Sequence, residues 1–152
     1  MARFPLNTMA QKRPCGACQA CCAVVGVVEL AKDQWQHCPN QCDQGCAIYE
    51  DRPATCSGYY CLWALGWIDG DERRRPDRLG VIFDWRSYGE ILTGETGAAD
   101  TPVIQVQEVW PGALGEPNVQ WLTQRLAERY VLALRPYGSK QVEFVDHQGA
   151  LG

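Results

Sequence analysis

The chain has 152 residues, about one domain's worth, with 46% apolar and 21% charged residues. That composition supports a buried core and excludes collagen-like, coiled-coil and fully disordered chains. A formal charge of −4 argues against nucleic-acid binding through bulk positive charge, and no apolar run approaches the roughly 18 residues that a membrane helix needs.

Residues 1–14 read as a flexible lead. Pro5, Asn7 and Thr8 interrupt any apolar core of a secretory signal, so a cytoplasmic protein is expected. All nine cysteines lie between Cys15 and Cys61, and the 91 residues after Cys61 have none. An odd count in a reducing compartment disfavours a disulfide framework. Thiols that stay reduced and cluster this tightly point to metal ligation. Within this region 23–28 is a short apolar run, and 30–37 predicts one or two helical turns. Pro39, Asn40, Asp43, Gly45, Pro53 and Gly58 make 38–61 a run of loops and turns. Such a segment has little apolar material of its own, and a bound metal would supply the missing cross-link.

Beyond Cys61 the pattern changes. Residues 61–68 predict an apolar helix ending near Asp69-Gly70, followed by a charged loop over 71–78. Residues 79–85 predict a strand, 88–92 its returning partner, and 93–102 a glycine-rich loop. Residues 103–110 are strand-like, with Ile104 and Val106 on one face and Val103, Gln105 and Gln107 on the other. Pro117 or Asn118 opens a helix to about Tyr130, with Val119, Leu122, Leu126 and Tyr130 on one side. Residues 131–134 and 141–145 predict two strands around a hairpin-like connection at 137–140. The expected class is α+β: a small irregular, metal-stapled cysteine-rich lobe (15–61) packed on a small antiparallel sheet with one or two helices (62–152), the two sharing one compact body.

The first cysteine motif is Cys15-Gly-Ala-Cys18-Gln-Ala-Cys21-Cys22. A C-x-x-C pair presents two sulfurs from one tight loop, and small intervening residues let backbone amides turn toward them. Three cysteines at intervals of three resemble the loops that hold iron–sulfur clusters, whereas zinc sites more often use separate pairs. A second group comprises Cys38, Cys42, Cys46, Cys56 and Cys61, with the context Cys46-Ala-Ile-Tyr-Glu-Asp-Arg-Pro-Ala-Thr-Cys56. A thioredoxin-like pair at Cys15 and Cys18 is disfavoured, because no strand precedes it.

Together, C-x-x-C-x-x-C-C and C-x-I-Y-x-x-R-P-x-x-C resemble the CxxCxxCC cysteine-cluster proteins, a zinc- or iron-chelating (YkgJ-like) family. The matching residues are Cys15, Cys18, Cys21, Cys22, Cys38, Cys46, Ile48, Tyr49, Arg52, Pro53 and Cys56, and the resemblance covers residues 15–61, about a third of the chain. The resemblance implies metal ligands among Cys15, Cys18, Cys21, Cys22, Cys38, Cys46 and Cys56. Cys42 and Cys61 fall outside the shared pattern. A similar module accompanies flagellin lysine methylases, which by analogy implies an iron–sulfur centre. The expected occupant is an iron–sulfur cluster, with zinc as the alternative. A four-thiolate zinc or [4Fe–4S]²⁺ centre carries a formal −2, which Lys12, Arg13 and Arg52 can offset.

The function expected is therefore metal binding with a redox or accessory role and a protein partner, without nucleic acid or membrane. The alternatives are an enzyme or enzyme subunit for protein modification, and an adaptor with a purely structural zinc. His37 reads better as a solvated loop residue than as a ligand. The arginines of 73–78 are interleaved with Asp71, Glu72 and Asp77 and read as a solvated loop. Nucleotide-binding, zinc-protease and serine-hydrolase motifs are absent from the sequence.

Overall fold

The structure, a computed structural model, describes residues 18–42, 45–57, 59, 61–68, 71–93, 101–139 and 141–150. The lead over 1–14 and Cys15 lie outside the described residues. The fold is α+β. In the cysteine-rich half the elements are short: α1 (Ala20–Val24), β1 (Gln41–Cys42), β2 (Gly45–Cys46) and α2 (Ala54–Ser57). β1 and β2 pair antiparallel. The turns expected over 30–37 form one 3₁₀ turn, Val28–Leu30, and a tight reversal closed by a bridge between Val27 and Lys32. Ala31 and Trp35 adopt positive φ there, at 51° and 58°.

The second half contains α3 (Leu62–Leu65), α4 (Pro76–Leu79), β3 (Val81–Ser87), α5 (Tyr88–Thr93), β4 (Pro102–Glu108), α6 (Pro117–Ala127), β5 (Leu132–Arg135), β6 (Glu143–Asp146) and β7 (Gly149–Ala150). Five strands form one sheet in the order β3-β4-β5-β6-β7. The expected sheet was wholly antiparallel, but β4 and β5 run parallel. The reason is the connection: α6 lies between them, and a helical crossover returns the chain to the same end of the sheet.

The expected strand over 88–92 is instead the helix α5. Glu90 N–H donates to Ser87 Oγ at 3.0 Å, and Ser87 N–H donates to Glu90 Oε2 at 3.5 Å. This reciprocal pair is a capping box, which starts a helix where a turn was read. β3 pairs with β4, from Val81↔Glu108 to Ser87↔Pro102. α3 is shorter than expected because Gly66 ends it at φ 86°, with Gly66 N–H donating to Trp63 O.

Strand alternation gives the sheet two unlike faces. Phe83, Val106 and Leu134 align across three strands on one face, as do Trp85, Ile104, Leu132 and Val145 across four. Leu62, Leu65, Val119 and Leu122 from α3 and α6 cover this apolar face. Trp85 packs edge-on against Trp67 and Tyr130, with centroids 5.5 and 5.1 Å away. The opposite face carries Ile82, Asp84, Gln105, Gln107 and Arg135, and against Ile82 pack Ala20 and Val24 of α1. Trp35 Nε1 donates to Glu108 O at 2.9 Å and also ties the cysteine-rich segment to β4. Among the described residues no helix is long and apolar enough to cross a membrane.

Candidate metal centre

The candidate donors are positioned by backbone bonds more than by apolar packing. Cys21 and Cys22 sit on α1, which closes as Val25 N–H donates to Cys21 O at 2.9 Å. Cys38 N–H donates to Cys22 O at 3.1 Å, so the second cysteine group begins against the end of the first motif. Gln41 N–H donates back to Cys38 O at 3.1 Å, and the β1–β2 hairpin sets Cys46 opposite Gln41. Side-chain amides of Gln19 and Gln41 brace the hairpin: Gln19 donates to Cys42 O, and Gln41 to Gln19 Oε1. Asn40 N–H donates to Cys38 Sγ at 3.5 Å, the kind of amide-to-sulfur contact that tunes thiolate ligands. Cys56 lies on α2, where its N–H donates to Pro53 O at 3.0 Å.

Electrostatics bind these thiols into one neighbourhood. Cys22 titrates at about 7: a hydrogen bond from Cys21 lowers it most, burial opposes that, and Lys32 and Arg52 lower it further. Burial pushes Cys56 up, and Cys38, Cys22, Cys46 and the Glu29 carboxylate push it the same way. Burial lowers Lys32, while Cys38, Cys22, Cys21 and Cys56 pull it back up. Lys32 is only 4% exposed, and its ammonium donates to the carbonyls of Val25 and Asp33.

Cys18 has different surroundings. Burial pushes its thiol up to about 12, with Asp77 and Cys61 as the charged neighbours. Its thiol donates to the Asp77 carboxylate. Cys18, Cys21 and Cys61 pack on the apolar patch of Ala20, Val24 and Ile82. Close by, Tyr59 Oη donates to Asp84 Oδ2 at 2.7 Å. Asp84 also accepts from Arg86 Nε at 3.1 Å and Gln105 Nε2 at 3.3 Å. Arg86 in turn reaches Glu90 at 3.0 Å, and Arg135 Nε donates to Gln105 Oε1 at 3.2 Å. Burial and the Asp84 charge hold Tyr59 well above its ordinary range.

Of the seven expected ligands, Cys21, Cys22, Cys38 and Cys56 bear electrostatically on Lys32 and Cys46 bears on Cys56, Cys18 stands with Cys61 and Asp77, and Cys15 is outside the described residues. Cys42 is exposed. His37 is exposed too, with Nδ1 3.1 Å from Gln41 Oε1, as a solvated loop histidine would be. Sequence reasoning passed over Lys32. Its signal was there: within 15–61 the only basic residues are Lys32 and Arg52.

The eight described cysteines are free thiols. As donors they suit a thiophilic ion or cluster, since thiolate serves zinc and iron–sulfur sites alike. Among the described residues no group of three His, Cys, Asp or Glu side chains is arranged to hold an ion. No family model matches the chain, and no curated protein or solved structure matches it either.

Proposed function

We propose that this chain is a metal-binding protein of the cysteine-cluster kind, holding an iron–sulfur cluster, or alternatively zinc, through thiolates of the 15–61 region. The observation that supports the reading is that Cys38 N–H donates to Cys22 O, which sets the second cysteine group against the first motif, while Cys21, Cys22, Cys38 and Cys56 all bear electrostatically on the buried Lys32. Cys15 and Cys18 of the first motif complete the donor pool. Zinc would cross-link the loops without electron transfer; a cluster would also accept and release an electron. An electron-passing centre requires a protein partner, and a cytoplasmic location keeps such thiols reduced. Loading should tighten the loops, because binding and folding of such a segment are coupled.

The test is anaerobic purification followed by metal analysis and an optical spectrum. A brown protein whose visible absorption bleaches on reduction supports the cluster. A colourless protein with stoichiometric zinc supports a structural centre. A chain with neither metal, whose thiols are all titratable and which gains no thermal stability from added zinc or ferrous iron and sulfide, would falsify the reading.

A further inference from the structure

Trp121 breaks the pattern of α6. The stripe that meets the sheet is Val119, Leu122 and Leu126. Trp121 lies outside it, between exposed Gln120 and Gln124, and is 46% exposed. An indole left in water on the polar side of a helix gives up the hydrophobic free energy that its burial would contribute.

What holds the ring in place is charge. Arg125, one turn along α6, has its Cζ 4.7 Å from the ring centroid. Arg74, from the 3₁₀ turn Glu72–Arg74, lies 4.8 Å from the same centroid. Two cations that share one ring stand no farther apart than about one Debye length in dilute salt, so each strengthens the other's pull on an anion. Arg125 is exposed, and among the described residues no carboxylate forms an ion pair with it. Arg73, by contrast, is paired with Asp71. Stacking occupies the face of a guanidinium and leaves the fork of N–H donors at its edge, which grips a carboxylate through two parallel bonds. It also orders the fork beforehand, which lowers the entropic cost of gripping. Tryptophan and arginine are the side chains that most often dominate protein interfaces.

The chemistry selects the occupant. An apolar helix laid here would leave the guanidiniums without counterions. A nucleic-acid strand stacks its bases on open aromatic rings, and this ring already carries guanidiniums. Such a strand would also meet a chain of charge −4, with Glu116 and Glu128 at the two ends of the same helix. An extended acidic peptide fits better: carboxylates two residues apart lie about 7 Å apart on one face, a span that reaches from one guanidinium to the other across the indole.

We propose that Trp121, Arg74 and Arg125 form a docking surface for an acidic segment of a partner protein. The carboxylates of that segment pair with the two guanidiniums, and its side-chain stems cover the exposed part of the indole. The surface lies on α6 and is independent of whether the cysteines hold a metal.

The full reduced chain, labelled with nitrogen-15, is titrated with a capped hexapeptide of alternating glutamate and alanine, and with its glutamine counterpart. Trp121→Phe identifies the Trp121 indole N–H among the six tryptophans. That signal and the Arg125 Nε–H should shift saturably with the glutamate peptide, with a midpoint of about 1 mM or lower, the strength that two charge-assisted contacts supply. The glutamine peptide should leave both signals in place. Arg125→Gln should weaken the glutamate peptide about fivefold or more. An Arg125→Gln chain of wild-type affinity overturns the proposal, as does equal binding of the two peptides or no saturation by about 10 mM. An oligothymidylate that shifts the same signals at lower concentration than the glutamate peptide also overturns it, in favour of nucleic acid. So does a peptide-free dimer, seen by sedimentation and lost in Arg125→Gln, because a second copy would then be the occupant. Should circular dichroism show Arg125→Gln unfolded, the glutamate-against-glutamine comparison on the wild-type chain decides.

Discussion

Asp84 is where the cysteine-rich segment meets the sheet, and its removal tests the account of that junction. Its side chain is 3% exposed and accepts from Tyr59 Oη, Arg86 Nε and Nη2, and Gln105 Nε2, at 2.7 to 3.3 Å. In Asp84→Ala, Arg86 keeps Glu90 as a partner, and its side chain is 26% exposed, so its charge is only partly stranded. Tyr59 and Gln105 lose an acceptor in a buried place, at about 1–2 kcal/mol each. With a further contribution from Arg86, the total comes to about 3–4 kcal/mol. For a chain of this size that lowers Tm by about 10 °C. Thermal and urea unfolding followed by circular dichroism measure it. Tyr59→Phe leaves Asp84 its other donors and should cost about 1 kcal/mol. The double variant should cost less than the sum of the two, since the groups share one bond. A loss below about 1 kcal/mol in Asp84→Ala, or strict additivity with Tyr59→Phe, would refute the claim that this carboxylate fastens the two layers.

Four other outcomes follow from the same structure. Gly80 has φ 97°, and a Cβ there would lie 2.7 Å from Trp110 Cζ2 and 2.8 Å from Ala113 Cβ; Gly80→Ala should therefore cost about 3 kcal/mol in urea unfolding. Trp121 is 46% exposed yet has Arg74 and Arg125 over its ring at 4.8 and 4.7 Å, so Trp121→Ala should lose about 1 kcal/mol, read as a Tm shift. The Arg73 hydrogen bonds hold the Asp71 carboxyl down at about 2. A carboxylate lowered in this way contributes stability above its unfolded pKa and loses it as pH falls through the folded value; carbon-13 NMR should find the midpoint near there and see it rise in Arg73→Gln. Cys56→Ser should lower both metal content and Tm, checked by elemental analysis and a melt of the loaded chain, because the ligand cross-links the loops.

Much of the second half was legible because its signals are local. The alternation over 103–107 assigned Ile104 and Val106 to one face and Gln105 and Gln107 to the other, and both faces stand as read. Pro117 opens α6, as proline at the first helical position does. α5 stands where a strand is expected over 88–92, although Ser87-Tyr-Gly-Glu90 carries the capping-box spacing that starts a helix. The parallel pairing of β4 with β5 depends on where α6 packs, which no short window reveals. For the candidate centre, spacing pointed to the cysteines as a pool but did not divide them. The division arises from tertiary contact: Cys18 meets Asp77, fifty-nine positions away, and the reversal at Val27 and Lys32 buries a lysine on which four of the thiols bear. Arg73–Arg75 read as solvated, and Arg73 fits, but Arg75 is buried and paired with Asp77 at 2.6 Å while Arg74 lies on Trp121.

The unlike faces of the sheet bear on how the molecule breathes. Beneath the cysteine-rich cover lie Asp84, Gln105, Gln107 and Arg135 beside a small apolar cluster, Ile82 with Ala20 and Val24 of α1. Lifting that cover wets amides and charges and gives up a smaller apolar cluster than the core on the other face, so it is a less expensive excursion than parting α3 and α6 from the sheet. Amide protons over 18–42 and 45–57 should then exchange far sooner than those of β3 and β4, and entry to the thiols would need no global unfolding.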